Sequence, residues 1–226
     1  MLGTIVNAVA IIFGSLTGYF FKNLIPDRFS ESIMKSISLA IVLIGVKMAT
    51  GTENILLVIC SMVIGTLIGE MADIESKLEG AGEMLQNRIS GDSNISQGFV
   101  TSSLMYCVGS MAIIGAIEGG LLGKHDVLFA KSLLDGIISI AMTASLGIGV
   151  IFSSAAVFLY QGSIVLLAGS LKDVLTDVVI NEMSAVGGLL IMGLGFNVFI
   201  RDRLKVGNML PALFIPLIYF SVISLF

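Results

Sequence analysis

The apolar residues of this chain gather in blocks of roughly 20, one after another along its 226 residues. That is the length an α-helix needs to cross a hydrocarbon core about 30 Å thick. Inside lipid the backbone must satisfy its own hydrogen bonds, so only helices or a closed barrel can span. The period-2 alternation of a barrel strand is absent, and the apolar blocks cover most helical faces, as lipid-embedded helices do. Composition agrees: 56% of residues are hydrophobic and 12% charged, whereas soluble domains are about a quarter charged. The expected fold is all-α, a polytopic transmembrane bundle in a single domain, 1–226. No basic residue precedes the first apolar run and no small-residue cleavage site follows it, so it reads as a first span, not a cleaved signal peptide.

About eight spans are expected, near 2–21, 32–50, 54–70, 98–121, 127–146, 148–169, 180–200 and 207–225. The fifth and sixth are joined by almost nothing, which predicts a broken or re-entrant region, or a tight turn, near 145–150. Lys22, Arg28, Lys35, Lys77, Arg88, Arg201, Arg203 and Lys205 fall on one set of loops. The opposite set carries Lys124, Lys131 and Lys172, with Lys47 near a span end. The richer set should be cytoplasmic, with both termini outward. The polar segment 71–97 repeats Ile74, Leu78, Ala81, Leu85 and Ile89 at helical spacing, with Asp73, Glu75, Glu79 and Glu83 opposite. A lipid-surface helix would be basic there, so this segment predicts a cytoplasmic helix packed on the protein or solvated.

Residues from Gly3 align without gaps onto residues from Gly149. GTIVNA at 3–8 meets GVIFSS at 149–154, and PDRFSESIMKSISLA at 26–40 meets KDVLTDVVINEMSAV at 172–186. The shared D-x-x-[ST]-[DE] also has a local cause, because such residues cap helix starts. As a repeat, the copies would be 1–70 and 147–226, with connecting spans at 98–146. Their starts lie an odd number of spans apart, so the copies would insert in opposite directions. Inverted repeats are a common transporter plan, with the site at midplane between copies.

One acid stands out within the spans. Ser132, Asp135, Ser139 and Thr143 step by three and four, forming one polar stripe on the fifth span. A charge at the membrane centre costs about 2.5–3.5 kcal/mol, so it faces a partner or a watery cavity. Lys131, one turn earlier, could pair with it; alternatively Asp135 lines a path and binds a cation or proton. Asn7, Ser153, Ser154, Gln161, Asn197 and Asn208 are further candidates along such a path, and Pro211 and Pro216 free backbone carbonyls in the last span. Taken singly, each Asn, Ser or Gln also fits an ordinary interhelical hydrogen bond. Gly14 and Gly18, Gly65 and Gly69, and Gly115, Gly119 and Gly123 recur at four, which predicts close helix packing and allows a homo-oligomer.

Nothing points to enzyme chemistry. H-E-x-x-H, G-x-S-x-G and a phosphate-binding glycine loop are missing from the sequence. His125 is the single histidine, so no general acid–base pair or Cys/His metal cluster is formed, and no cofactor is expected. Cys60 and Cys107 lie in apolar runs and read as buried free thiols. No basic stripe suggests nucleic acid. No ATP-binding domain is present in the sequence to drive a pump.

The opening GTIVNAVAIIFGSLTG resembles the start of a bacterial membrane-protein family known as domain of unknown function 554. GSMAIIGAIEGGL at 109–121, KSLLDGIISIAMTASLGIGVIFSSAAVFLYQGSIVLLA at 131–168, EMSAVGGLLIMGLGFNVF at 182–199 and KVGNMLPAL at 205–213 extend the resemblance over nearly the whole chain. It implies a bacterial membrane protein with a transport role, and that Asn7, Asp135, Gln161, Asn197 and Asn208 lie in family motifs. The expectation is a secondary transporter or gated channel for a small solute or ion in the bacterial inner membrane. The rival is a non-transporting scaffold or sensor acting through its cytoplasmic helix.

Overall fold

A computed structural model describes residues 1–22, 27–77, 80, 95–107, 109–171, 174–200 and 203–223. Most of the helix expected at 71–97 lies outside them, as do Asp173 and the side chains of Asp27 to Glu31. Among the described residues the regular structure is entirely helical: α1 (Leu2–Lys22), α2 (Asp27–Ala49), α3 (Ile55–Ala72), α4 (Ile95–Cys107), α5 (Ser110–Leu121), α6 (Asp126–Leu146), α7 (Ser153–Leu171), α8 (Asp177–Phe196) and α9 (Ile215–Ile223). Two 3₁₀ segments, Ile148–Phe152 and Val206–Phe214, lead into α7 and α9. Six helices are long and apolar enough to cross a membrane, seven if the pair α4–α5 forms one span. α2 adds the apolar stretch Ser38–Ala49.

The expected break near 145–150 has a definite cause. α6 stops at Leu146, and Gly147 turns the chain at φ 84°, a conformation that a Cβ would penalise. Its N–H still closes on the Thr143 carbonyl at 2.9 Å, and the 3₁₀ turn follows at once. The continuous span expected over 98–121 is instead two helices bent by 61°, with Gly109 at φ 148° between them. The last span also begins as a 3₁₀ helix, around Pro211, which has no N–H for a helical ladder.

The chain forms two compact units. Unit 1 is 1–37, 78–107 and 111–169; unit 2 is 38–77, 108–110 and 170–226. Each takes segments from both copies of the expected repeat.

In unit 1, α1 packs along α6. A Cβ on Gly14 would strike the carbonyl of Gly136, and one on Gly18 the carbonyl of Ile140. Small residues at this spacing let the two backbones touch. The contacts advance together along both helices, so α1 and α6 are parallel, as first and fifth spans should be. Ile11, Tyr106, Met142, Leu146, Val150 and Val157 pack beside this seam as an apolar cluster.

In unit 2, α8 runs antiparallel to α2, with Gly45 against Gly188 and Gly195 against Ser38 and Val42. α3 lies against the 3₁₀ segment, Gly65 on Ala212 and Gly69 on Asn208. Val58, Ala185, Val186 and Ala212 make its core. The rest of α3 is an apolar outer face from Ile55 to Met71. Cys60 is free but exposed on that helix, against the expectation of burial, and Cys107 is free and half-buried. A thiol facing lipid satisfies the same apolar pattern as one facing a core.

Candidate functional site

The whole polar stripe of α6 is buried: Ser132, Asp135, Ser139 and Thr143. It faces the small-residue seam of α1, so Gly14 and Gly18 look onto Ser139 and Thr143. Asp135, 4% exposed, has both carboxylate oxygens engaged. The Lys131 ammonium donates to Oδ1 at 2.9 Å and stands 2.8 Å from Oδ2. The Asn7 side-chain amide donates to Oδ2 at 3.0 Å. The spacing of four lets Lys131 fold onto Asp135 from its own helix, while Asn7 reaches across from α1. Of the two readings of Asp135, the contact seen is the one with Lys131.

A second pair lies alongside. The hydroxyls of Tyr106 and Ser139 share a hydrogen bond of 2.8 Å, with Met142 Sδ 3.6 Å from the Tyr106 oxygen. Tyr106 is fully buried and comes from α4. No spacing in the sequence singled it out, because it sits in an apolar run like any core aromatic.

Several buried polar atoms in unit 1 are left over. A carboxylate only accepts, so Asn7 must turn its NH₂ to Asp135, and its carbonyl Oδ1 has no protein partner. Thr4 Oγ1 and Thr143 Oγ1 are likewise unpaired, as are both polar atoms of Gln161. Gln161 is fully buried. Its height follows from its neighbours. Val157 belongs to the same apolar cluster as Ile11, and Gly162 faces Met1 at the head of α1. Gln161, one turn beyond Val157 and next in the chain to Gly162, lies toward the start of α1, the end that carries Thr4 and Asn7.

The other predicted residues divide. Ser153 and Ser154 donate to the carbonyls of Val150 and Ile151, at 2.7 and 2.6 Å. They finish the 3₁₀ turn, and their hydroxyl protons are spent locally. Asn197 and Asn208 belong to unit 2. The Asn197 amide clasps Leu204, donating to its carbonyl at 2.9 Å and accepting from its N–H at 2.8 Å. Asn208 Oδ1 accepts the N–H of Glu75 at 2.7 Å, and the Glu75 carboxylate accepts the N–H of Gly207 at 2.6 Å. This reciprocal pair caps the 3₁₀ segment where α3 ends.

Unit 2 also buries a carboxylate. Glu182, 1% exposed on α8, accepts the Thr52 hydroxyl at 2.5 Å and the Glu53 N–H at 2.9 Å. Thr52 in turn accepts from Asn54 N–H, and Asn54 caps α3 through Leu57 N–H. The acid sits at the positive end of α3, where a negative charge is favoured. Among the described residues no group of three His, Cys, Asp or Glu could hold a metal ion.

The family model described as "Protein of unknown function (DUF554)" matches residues 2–221. A Bacillus subtilis (strain 168) protein named "Uncharacterized membrane protein YdfK" is 34% identical over 230 residues, covering 100% of this chain and 98% of that one. The Escherichia coli (strain K12) "Uncharacterized protein YqgA" is 27% identical over 223 residues, covering 96% and 95%. No solved structure matches the chain.

Proposed function

The chain belongs to the DUF554 family of multi-pass membrane proteins, and we propose that within it this protein is a secondary transporter or gated channel for a small solute or ion. Its setting would be the bacterial inner membrane, with the Lys- and Arg-rich loops in the cytoplasm. The reading rests on one observation above the others: the fully buried Gln161 amide has neither donor nor acceptor met by protein. A buried amide without partners costs several kcal/mol in an apolar medium. Such groups are met by water or by a bound solute. Asn7, Thr4 and Thr143 bring further open positions to the same seam of unit 1. A polar thread through apolar spans is what a solute route requires, and polar groups inside membrane spans mark such routes.

A specific observation favours the scaffold reading as well: Asp135 is fully paired by Lys131 and Asn7. Cysteine accessibility separates the two. Ser139→Cys and Thr143→Cys would each be built in a background with Cys60→Ser and Cys107→Ser, then exposed to a charged, membrane-impermeant thiol reagent in intact proteoliposomes. Modification at both positions supports the route. Protection at both, with labelling restored after denaturation, leaves a packed scaffold seam.

A further inference from the structure

We propose that the seam selects an uncharged solute carrying both hydrogen-bond donors and acceptors, read by the Gln161 amide and the Asn7 carbonyl, rather than a free ion. This rests on the transport reading above and narrows it to a substrate class.

Among the described residues of unit 1, the buried charged side chains are Lys131 and Asp135. They are in contact and cancel. An added cation would leave the seam with one net positive charge unless Lys131 withdrew, and an added anion would leave one net negative charge. In a low-dielectric setting each alternative carries a large desolvation cost that its partner no longer offsets. An uncharged solute leaves the balance untouched.

The remaining valences describe the solute. Asn7 Oδ1 and Gln161 Oε1 are open acceptors, and Gln161 Nε2 is an open donor. The Thr4 hydroxyl, about one turn before Asn7 on α1, can serve as either. A solute that meets both amides offers at least two donors and one acceptor. Small amides, ureas and polyols meet that description; an alkali cation could use the open oxygens but would leave the Gln161 NH₂ without an acceptor. Asn7 links the two halves of the device, because the NH₂ that holds Asp135 fixes where its carbonyl points. Lys131 and Asp135 thus act as positioning residues for the Asn7 oxygen.

The test uses purified full-length protein in proteoliposomes, with stopped-flow light scattering to follow entry of acetamide, urea and glycerol. A potential-sensitive dye follows Na⁺ and K⁺ in the same vesicles. The expected result is faster entry of at least one uncharged probe over protein-free vesicles, with no cation current. Gln161→Leu should lower that entry by roughly tenfold or more, the loss expected for two hydrogen bonds. Gln161→Glu, which keeps the size and adds an unpaired acid, should lower it too, and size-exclusion profiles identify variants that fold. Cation current without uncharged entry would overturn the substrate class and leave transport standing. Uncharged entry unchanged in both Gln161 variants would overturn the assignment to this seam. No movement of any probe would overturn both this inference and the transport reading beneath it.

Discussion

The Lys131–Asp135 pair allows a prediction with a direction that simple charge counting does not give. Removing either partner strands the other, and breaking a buried ion pair costs about 3–5 kcal/mol. The two stranded charges are not equally trapped. At 1.5 Å per residue, Lys131 lies about 7.5 Å along α6 from its first residue Asp126, whereas Asp135 lies about 13.5 Å along it. A lysine stem is long enough to carry its ammonium back toward that end, as lysines near span termini do. A carboxyl on one methylene has no such escape. Lys131→Met should therefore cost about 3–5 kcal/mol. Asp135→Asn should cost less, about 1.5–3 kcal/mol, the value of charged hydrogen bonds given up. The double variant should be more stable than Lys131→Met alone, since it strands no charge. Sodium dodecyl sulfate unfolding of the four proteins in mixed micelles measures the cycle. A double variant as unstable as Lys131→Met, or an Asp135→Asn that costs more than Lys131→Met, refutes the argument that the stranded acid is the expensive species.

Three further outcomes follow from contacts elsewhere. Gly18→Ala drives a Cβ into the Ile140 carbonyl, so α1 and α6 must separate; a loss of about 1–3 kcal/mol is expected by the same unfolding assay, and an unchanged midpoint would mean that the seam is looser than drawn. Glu182→Ala leaves the Thr52 hydroxyl and Glu53 N–H without their acceptor, which should cost about 1.5–3 kcal/mol per charged hydrogen bond and raise amide exchange across residues 52–57; exchange confined to its wild-type rate would remove Glu182 from the α3 cap. Asn197→Ala opens the clasp on Leu204 and should cost about 1–3 kcal/mol of stability by the same unfolding assay; a selective loss of flux at wild-type stability would instead place Asn197 on the proposed path.

Much of this architecture could be read from residue types because lipid enforces it. Apolar blocks must become helices, so the spans and the stripe on α6 were legible, and the Asp135–Lys131 contact was one of the two readings the stripe allowed. The glycine pairs Gly14–Gly18 and Gly65–Gly69 also told the truth about close approach, though not about which helix approached. What escaped were features set by tertiary neighbours. The bend at Gly109 interrupts a segment whose composition is apolar throughout. Tyr106 looks like any core aromatic until Ser139 stands beside its hydroxyl. Ser153 and Ser154 close hydrogen bonds within their own turn, because short polar side chains find the nearest backbone first, and Asn197 clasps Leu204, seven residues on. Thr176 and Asp177, aligned with Ser30 and Glu31 in the expected repeat, cap and begin α8.

The two buried acids are held in different ways, and the difference bears on what each can do. Glu182 is satisfied by a hydroxyl and a backbone N–H at the start of α3, groups fixed by the fold itself. Its charge serves to fasten a loop to a helix end, and no side-chain motion is needed to keep it satisfied. Asp135 is satisfied by two side chains, one on its own helix and one on α1. Both have rotamers that can change without unfolding a turn. Any motion of α1 along α6 alters the Asn7 contact while leaving the Lys131 contact, which is internal to α6, intact. A shift of the seam would therefore leave the charge of Asp135 neutralised and make the Asn7 amide the group that changes partner. That division gives the ion pair the constant role and Asn7 the variable one.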